Sequence, residues 1–150
     1  MLALYAATLG LSALLLFWVQ PMFSKLVLPL LGGTPAVWNI AMVFFQGALL
    51  AGYLYAHLGD RWLRPKPQAI VHLLLLAVAF LSLPIAIAAG VRPPTSGTPV
   101  GWMLVLSART VGLPFLALAA TAPMLQKWFA HTGHRDAANP YILYAVSNLG

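Results

Sequence analysis

Apolar residues run almost unbroken from Leu2 to Val19 and through three later stretches, separated by short clusters of polar residues, glycine and proline. About 20 apolar residues carry a helix across a bilayer, so the pattern predicts spans over residues 2–23, 36–58, 68–90 and 99–129. The last holds Pro114 and Pro123, which predicts a kink or break. A fifth helix is predicted over 140–150, with Asn139 as its N-cap and Pro140 at its first position. At about 1.5 Å per residue it reaches about 16 Å, short of a hydrocarbon core of about 30 Å, which suggests the N-terminal piece of a longer bundle. The expected fold is all-α: a polytopic helical membrane protein with four transmembrane helices plus the start of a fifth, in one membrane-embedded domain and with no soluble domain.

Composition strengthens this picture. Of 150 residues, 61% are hydrophobic and 7% charged, against about 25% charged in a typical soluble domain. The net charge of +6 comes from eight Lys and Arg against two acids. These basic residues sit in short connections, where they meet anionic headgroups rather than nucleic acid. With Arg61, Arg64, Lys66, Lys127 and Arg135 on one side and Lys25 and Arg92 on the other, the positive-inside rule places the N-terminus in the cytoplasm. Cysteine is absent, which removes disulfides, thiolate nucleophiles and Cys metal sites. No nucleophile elbow, P-loop, HExxH or dinucleotide-binding glycine motif occurs, so nothing in these residues indicates catalysis, a metal or another cofactor.

Polar residues inside the apolar segments are the candidates for function. Asn39, Gln46, Tyr53 and His57 follow one another at spacings of seven, seven and four, along one helical face. Such a stripe faces protein or a water-filled cavity, and both interhelical hydrogen bonding and a solute pathway fit it. Ala48 and Gly52 form a small-xxx-small contact for packing. Arg109 is the one charge well inside a predicted span and is either a charge partner for a solute or a structural, snorkelling residue. No Asp or Glu falls within any span, so no carboxylate is available for a proton relay or to hold a polyamine. Gly32, Gly33, Thr34 and Pro35 predict the turn between helices 1 and 2. Gln20 and Lys25 are expected near the outer end of helix 1, with Gln20 and Asn39 forming a polar vestibule. The histidines His57, His72, His131 and His134 are placed near the inner helix ends.

The loop "AHLGDRWLRPK" carries Asp60, Arg61 and Arg64. It resembles the loop signature of major facilitator (MFS) transporters, which latches two half-bundles, although Ala56 and Leu63 stand where that signature has glycine. Together with "QPMFSKLVLPLLGGTPAVWN", "MVFFQGALLAGYLYAHL", "GLPFLALAATAPMLQKWFA" and "NPYILYAVSNLG", the chain resembles the N-terminal membrane region of bacterial fused MFS/spermidine synthase-like proteins. The resemblance implies an MFS-like half-bundle fragment in the bacterial inner membrane, completed by further helices of the same chain or an oligomer. In many members an aminopropyltransferase-like domain follows. The expected function is a transporter-like domain for a small polar or anionic solute. Arg109, Asn39, Gln46, Tyr53, Gln20 and Lys25 would line the pathway, and Asp60, Arg61 and Arg64 would form an inner latch. The alternative is a membrane anchor or sensor for a fused or associated aminopropyltransferase-like domain.

Overall fold

The computed structural model describes residues 1–95, 99–134, 137, 139 and 141–149, and every regular element among them is helical. Six α-helices follow in order: α1 (Leu2–Leu31), α2 (Pro35–Trp62), α3 (Pro65–Leu81), α4 (Val100–Ser107), α5 (Leu113–Ala130) and α6 (Tyr141–Leu149). A π-helical turn, Ala108–Gly112, joins α4 to α5. Leu2–Leu31, Pro35–Trp62 and the composite Val100–Ala130 are long and apolar enough to cross a membrane. Arg135, Pro140 and Gly150, used in the orientation and fifth-helix expectations, lie outside the described residues. Asn39, Gln46, Tyr53 and His57 all fall on α2, as the stripe requires.

The punctuation works locally as the residue types dictate. Gly32 (φ 80°) and Gly33 (φ 65°) adopt left-handed backbone, and both amides return to the carbonyl of Leu28, closing α1. Pro35 then starts α2 from an extended Thr34, and Pro65 starts α3 from an extended Arg64, because the residue before proline is pushed out of the helical region. The N-cap expected at Asn139 is present, its Oδ1 accepting from the Tyr141 amide at 3.2 Å.

Three boundaries differ from expectation. α1 continues past Gln20 and Pro21 to Leu31, over 30 residues, because proline is tolerated inside an apolar helix. α3 ends at Leu81 rather than residue 90. Ser82 turns its hydroxyl back to Ala79 O, and Pro84 keeps Leu83 from continuing the helix. The chain beyond is irregular, with Ile85 and Ile87 tucked against the core. The predicted break at Pro114 is instead the wide turn just before it. Proline leaves the preceding carbonyls without an amide donor, and a π turn redistributes those bonds. Ser107 Oγ and Thr110 Oγ1 donate to Met103 O and Leu106 O, each at 2.8 Å.

Packing centres on α5, which contacts α1, α2 and α3, while α6 lies along α1. Val19, Phe23 and Val27 on α1 face Val37, Ala41 and Phe45 on α2, with Met103, Val111 and Phe115 completing the cluster. Spacing of four on both helices generates this seam. Phe45 bridges it, edge-on to Phe23 at 6.1 Å and tilted against Phe115 at 4.9 Å. Outside, large apolar side chains such as Trp18, Leu50 and Phe80 are exposed, a surface suited to lipid rather than water.

α2 approaches α5 closely at Gly52, where an added Cβ would meet Ala119 Cβ at 2.7 Å and Leu116 O at 3.1 Å. Gly52→Val should therefore destabilise the protein by roughly 1–3 kcal/mol through forced separation of α2 from α5. Gly47→Val, at a position where nothing lies within 4 Å, should change stability by under about 1 kcal/mol and, by helix propensity, not lower it. Thermal unfolding of both variants in detergent checks this; equal losses would refute the close approach.

Candidate functional site

A cavity of about 620 Å³ opens between α1, α2, α5 and α6. Each helix supplies its lining at helical spacing. Ser12, Leu16 and Gln20 come from α1, and Met42, Gln46, Leu49 and Tyr53 from α2. α5 gives Leu118, Ala122 and Gln126, and α6 gives Tyr144, Ser147 and Asn148. The polar groups are amides and hydroxyls, set among apolar walls, and none of the described lining residues is Asp, Glu, Lys or Arg. Ser12 Oγ is engaged with Leu118 O at 3.2 Å. The side-chain amides of Gln20, Gln46 and Gln126 make no hydrogen bond to another described residue, so their donors and acceptors are available to a ligand.

A smaller pocket of about 210 Å³ lies toward the end of the bundle formed by the α2–α3 connection. Tyr53 and Pro123 line both spaces and so stand between them. His57, Asp60, Gln68 and Lys127 line the smaller one. There Lys127 Nζ contacts Asp60 Oδ2 at 2.7 Å, tying α5 to α2, with side-chain exposures of 47% and 38%. At that exposure the pair contributes about 0–1 kcal/mol.

Behind this pocket is a buried polar cluster. Trp128 Nε1 donates to Gln68 Oε1 at 2.8 Å, and Gln68 Nε2 reaches Ala56 O at 3.5 Å. His72, one turn further along α3, places Nε2 at 3.1 Å from Thr121 Oγ1, which itself lies 2.8 Å from Ala117 O. Three helices are thereby cross-linked by side chains that are polar but uncharged at neutral pH.

The predicted site residues are therefore divided. Gln20, Gln46 and Tyr53 are brought together in the larger cavity. Gln20 reaches it because α1 extends well beyond the residue, which places it in mid-helix rather than at an outer vestibule with Asn39. Asn39 and Lys25 are exposed and line neither space, and Arg109 is exposed on the π turn, also away from both. Of the latch residues, Asp60 is paired, with Lys127 rather than with Arg61 or Arg64, which are exposed. His57 lines the smaller pocket, whereas His72 is buried between helices rather than lying at a helix end.

Sequence reasoning missed Ser12, Gln126, Lys127, Tyr144, Ser147 and Asn148. Part of the signal was present: Tyr144, Ser147 and Asn148 follow the i, i+3, i+4 pattern, and Lys127 was already assigned to the same side as Asp60. Gln68→Leu should leave the indole N–H of Trp128 without its partner and destabilise the protein by about 1–3 kcal/mol. A lowered unfolding temperature with altered tryptophan emission is the expected readout; unchanged values would disprove the contact. Comparison with protein-family models, curated proteins and solved structures finds no match for this chain.

Proposed function

We propose that the chain is part of a membrane-embedded, transporter-like helical domain that takes a small uncharged polar solute into the cavity between α1, α2, α5 and α6. The observation that carries this reading is the cavity lining. Side-chain amides and tyrosine hydroxyls from four helices converge on one space, with no charged side chain among the described lining residues. A polar surface of this kind cannot face hydrocarbon without loss of its hydrogen bonds. An uncharged, multiply hydrogen-bonding solute matches it, whereas an anion or polyamine would lack a counter-charge there. This narrows the sequence expectation of a polar or anionic solute to the neutral class and moves Arg109 from the cavity to an outer face, where it meets further protein or headgroups.

The rest of the proposal follows the MFS resemblance. α3 and the segment after it make a fourth crossing, further helices or a second copy close the open side, and the N-terminus lies in the cytoplasm. Tyr53 and Pro123 separate the cavity from the inner pocket, and the Asp60–Lys127 pair closes that pocket in one conformation.

Thermal-shift measurements on the full chain in detergent test the reading, using neutral polyols and amides beside carboxylates and polyamines. A neutral solute should stabilise the protein, and Gln46→Leu should weaken its binding about threefold to tenfold by removing one or two hydrogen bonds. Arg109→Ala should leave that binding unchanged. Stabilisation by carboxylates or polyamines alone, or a neutral solute indifferent to Gln46→Leu, would overturn the assignment.

A further inference from the structure

His72 is 3% exposed, and its Nδ1 is buried with no hydrogen-bond partner among the described residues. Its protonation state can be derived from its neighbours. Thr121 has one hydroxyl proton, and its 2.8 Å contact with Ala117 O uses it, since a carbonyl cannot donate. The 3.1 Å contact between Thr121 Oγ1 and His72 Nε2 then requires an N–H on the imidazole. The pairing fits an Nε2–H tautomer of His72, which leaves Nδ1 as a lone pair enclosed by protein.

The groups facing it are Tyr55 from α2, Thr121 and Trp128 from α5, and Gln68 one turn back on α3. None is charged at neutral pH. The Tyr55 ring is stacked on the imidazole at a centroid distance of 6.1 Å, and Trp128 meets it edge to face at 6.3 Å. Gln68, one turn from His72 on α3, lines the smaller pocket together with Asp60 and Lys127. The nearby formal charges of that pair already satisfy each other.

We propose that His72 is a proton-binding site, taking up one proton at Nδ1 from the side of the smaller pocket and so releasing α3 from α5. The step forms one N–H bond from a hydronium ion, leaves water behind and changes the site from neutral to +1. The new donor has no acceptor in the docked arrangement, so the ring must turn away from Thr121 to find one, and α3 loosens. Because Leu118 and Ala122, which line the solute cavity, lie within one turn of Thr121 on α5, proton uptake is transmitted toward it. The proton site itself does not depend on the solute assignment.

The test uses the full chain in lipid nanodiscs with no solute added. Nitrogen NMR of labelled histidine reads the tautomer, and amide exchange, corrected for its intrinsic pH dependence, reads helix opening between about pH 8 and about pH 5, a range that brackets ordinary imidazole titration. His72 should be the Nε2–H form at high pH and doubly protonated at low pH. Opening of α3 should rise by up to about tenfold per pH unit, the limit for linkage to one proton, while α1 and α2 stay protected. His72→Gln should flatten the α3 response. Should that variant not fold, Thr121→Val keeps the imidazole and removes the acceptor of its Nε2–H, and the tautomer balance should move toward Nδ1–H. An Nδ1–H tautomer in the wild type, an imidazole that stays neutral across the range, or opening of all helices together would overturn the proposal. So would an α3 response retained in His72→Gln, or a tautomer unmoved by Thr121→Val.

Discussion

The bundle depends on how closely other helices can approach α5. Apolar surface gains little by leaving lipid for protein, so association between membrane helices rests on van der Waals contact and interhelical hydrogen bonds. Close contact needs small residues. α5 supplies Ala117, Ala119, Ala120 and Thr121 as buried positions, and α2 meets them with Gly52 and Ala56. A methyl group on Gly52 would already collide with Ala119. The cavity, the buried histidine and the ion pair are all placed relative to this contact.

The same close approach creates the space beside it. α1 and α2 both pack on α5 and touch each other mainly through their Val19–Phe23–Val27 and Val37–Ala41–Phe45 seam. Farther along, toward the amino end of α1 and the carboxyl end of α2, they no longer interlock, and Gln20, Gln46 and Tyr53 line the gap with α5 as its floor. α6 lies along α1 and contributes Tyr144, Ser147 and Asn148. An apolar seam and a polar cavity are thus successive parts of the same helices.

Serine and threonine hydroxyls add local hydrogen bonds to the backbone near the prolines. Pro114 is preceded by a π turn and Pro84 by the end of α3, and in both places hydroxyl groups of serine or threonine take up carbonyls.

The helical class, the turn at Gly32 and Gly33, the N-cap at Asn139 and the polar stripe on α2 were legible from the chain alone. Each depends on residue type and spacing over a few positions, where sterics and periodicity act directly. Helix ends were less legible, because Pro21 is absorbed within α1 while Pro84 helps to end α3, and the outcome depends on what surrounds the freed carbonyl. The pairings were not legible at all. Whether Asp60 meets Arg64 or Lys127, whether Gln20 joins Asn39 or Gln46, and whether His72 lies at an interface or between helices are questions of which faces of α1, α2, α3 and α5 turn toward one another. Only the tertiary packing decided them, because the rotation of each helix about its axis follows from its contacts with neighbours distant in sequence.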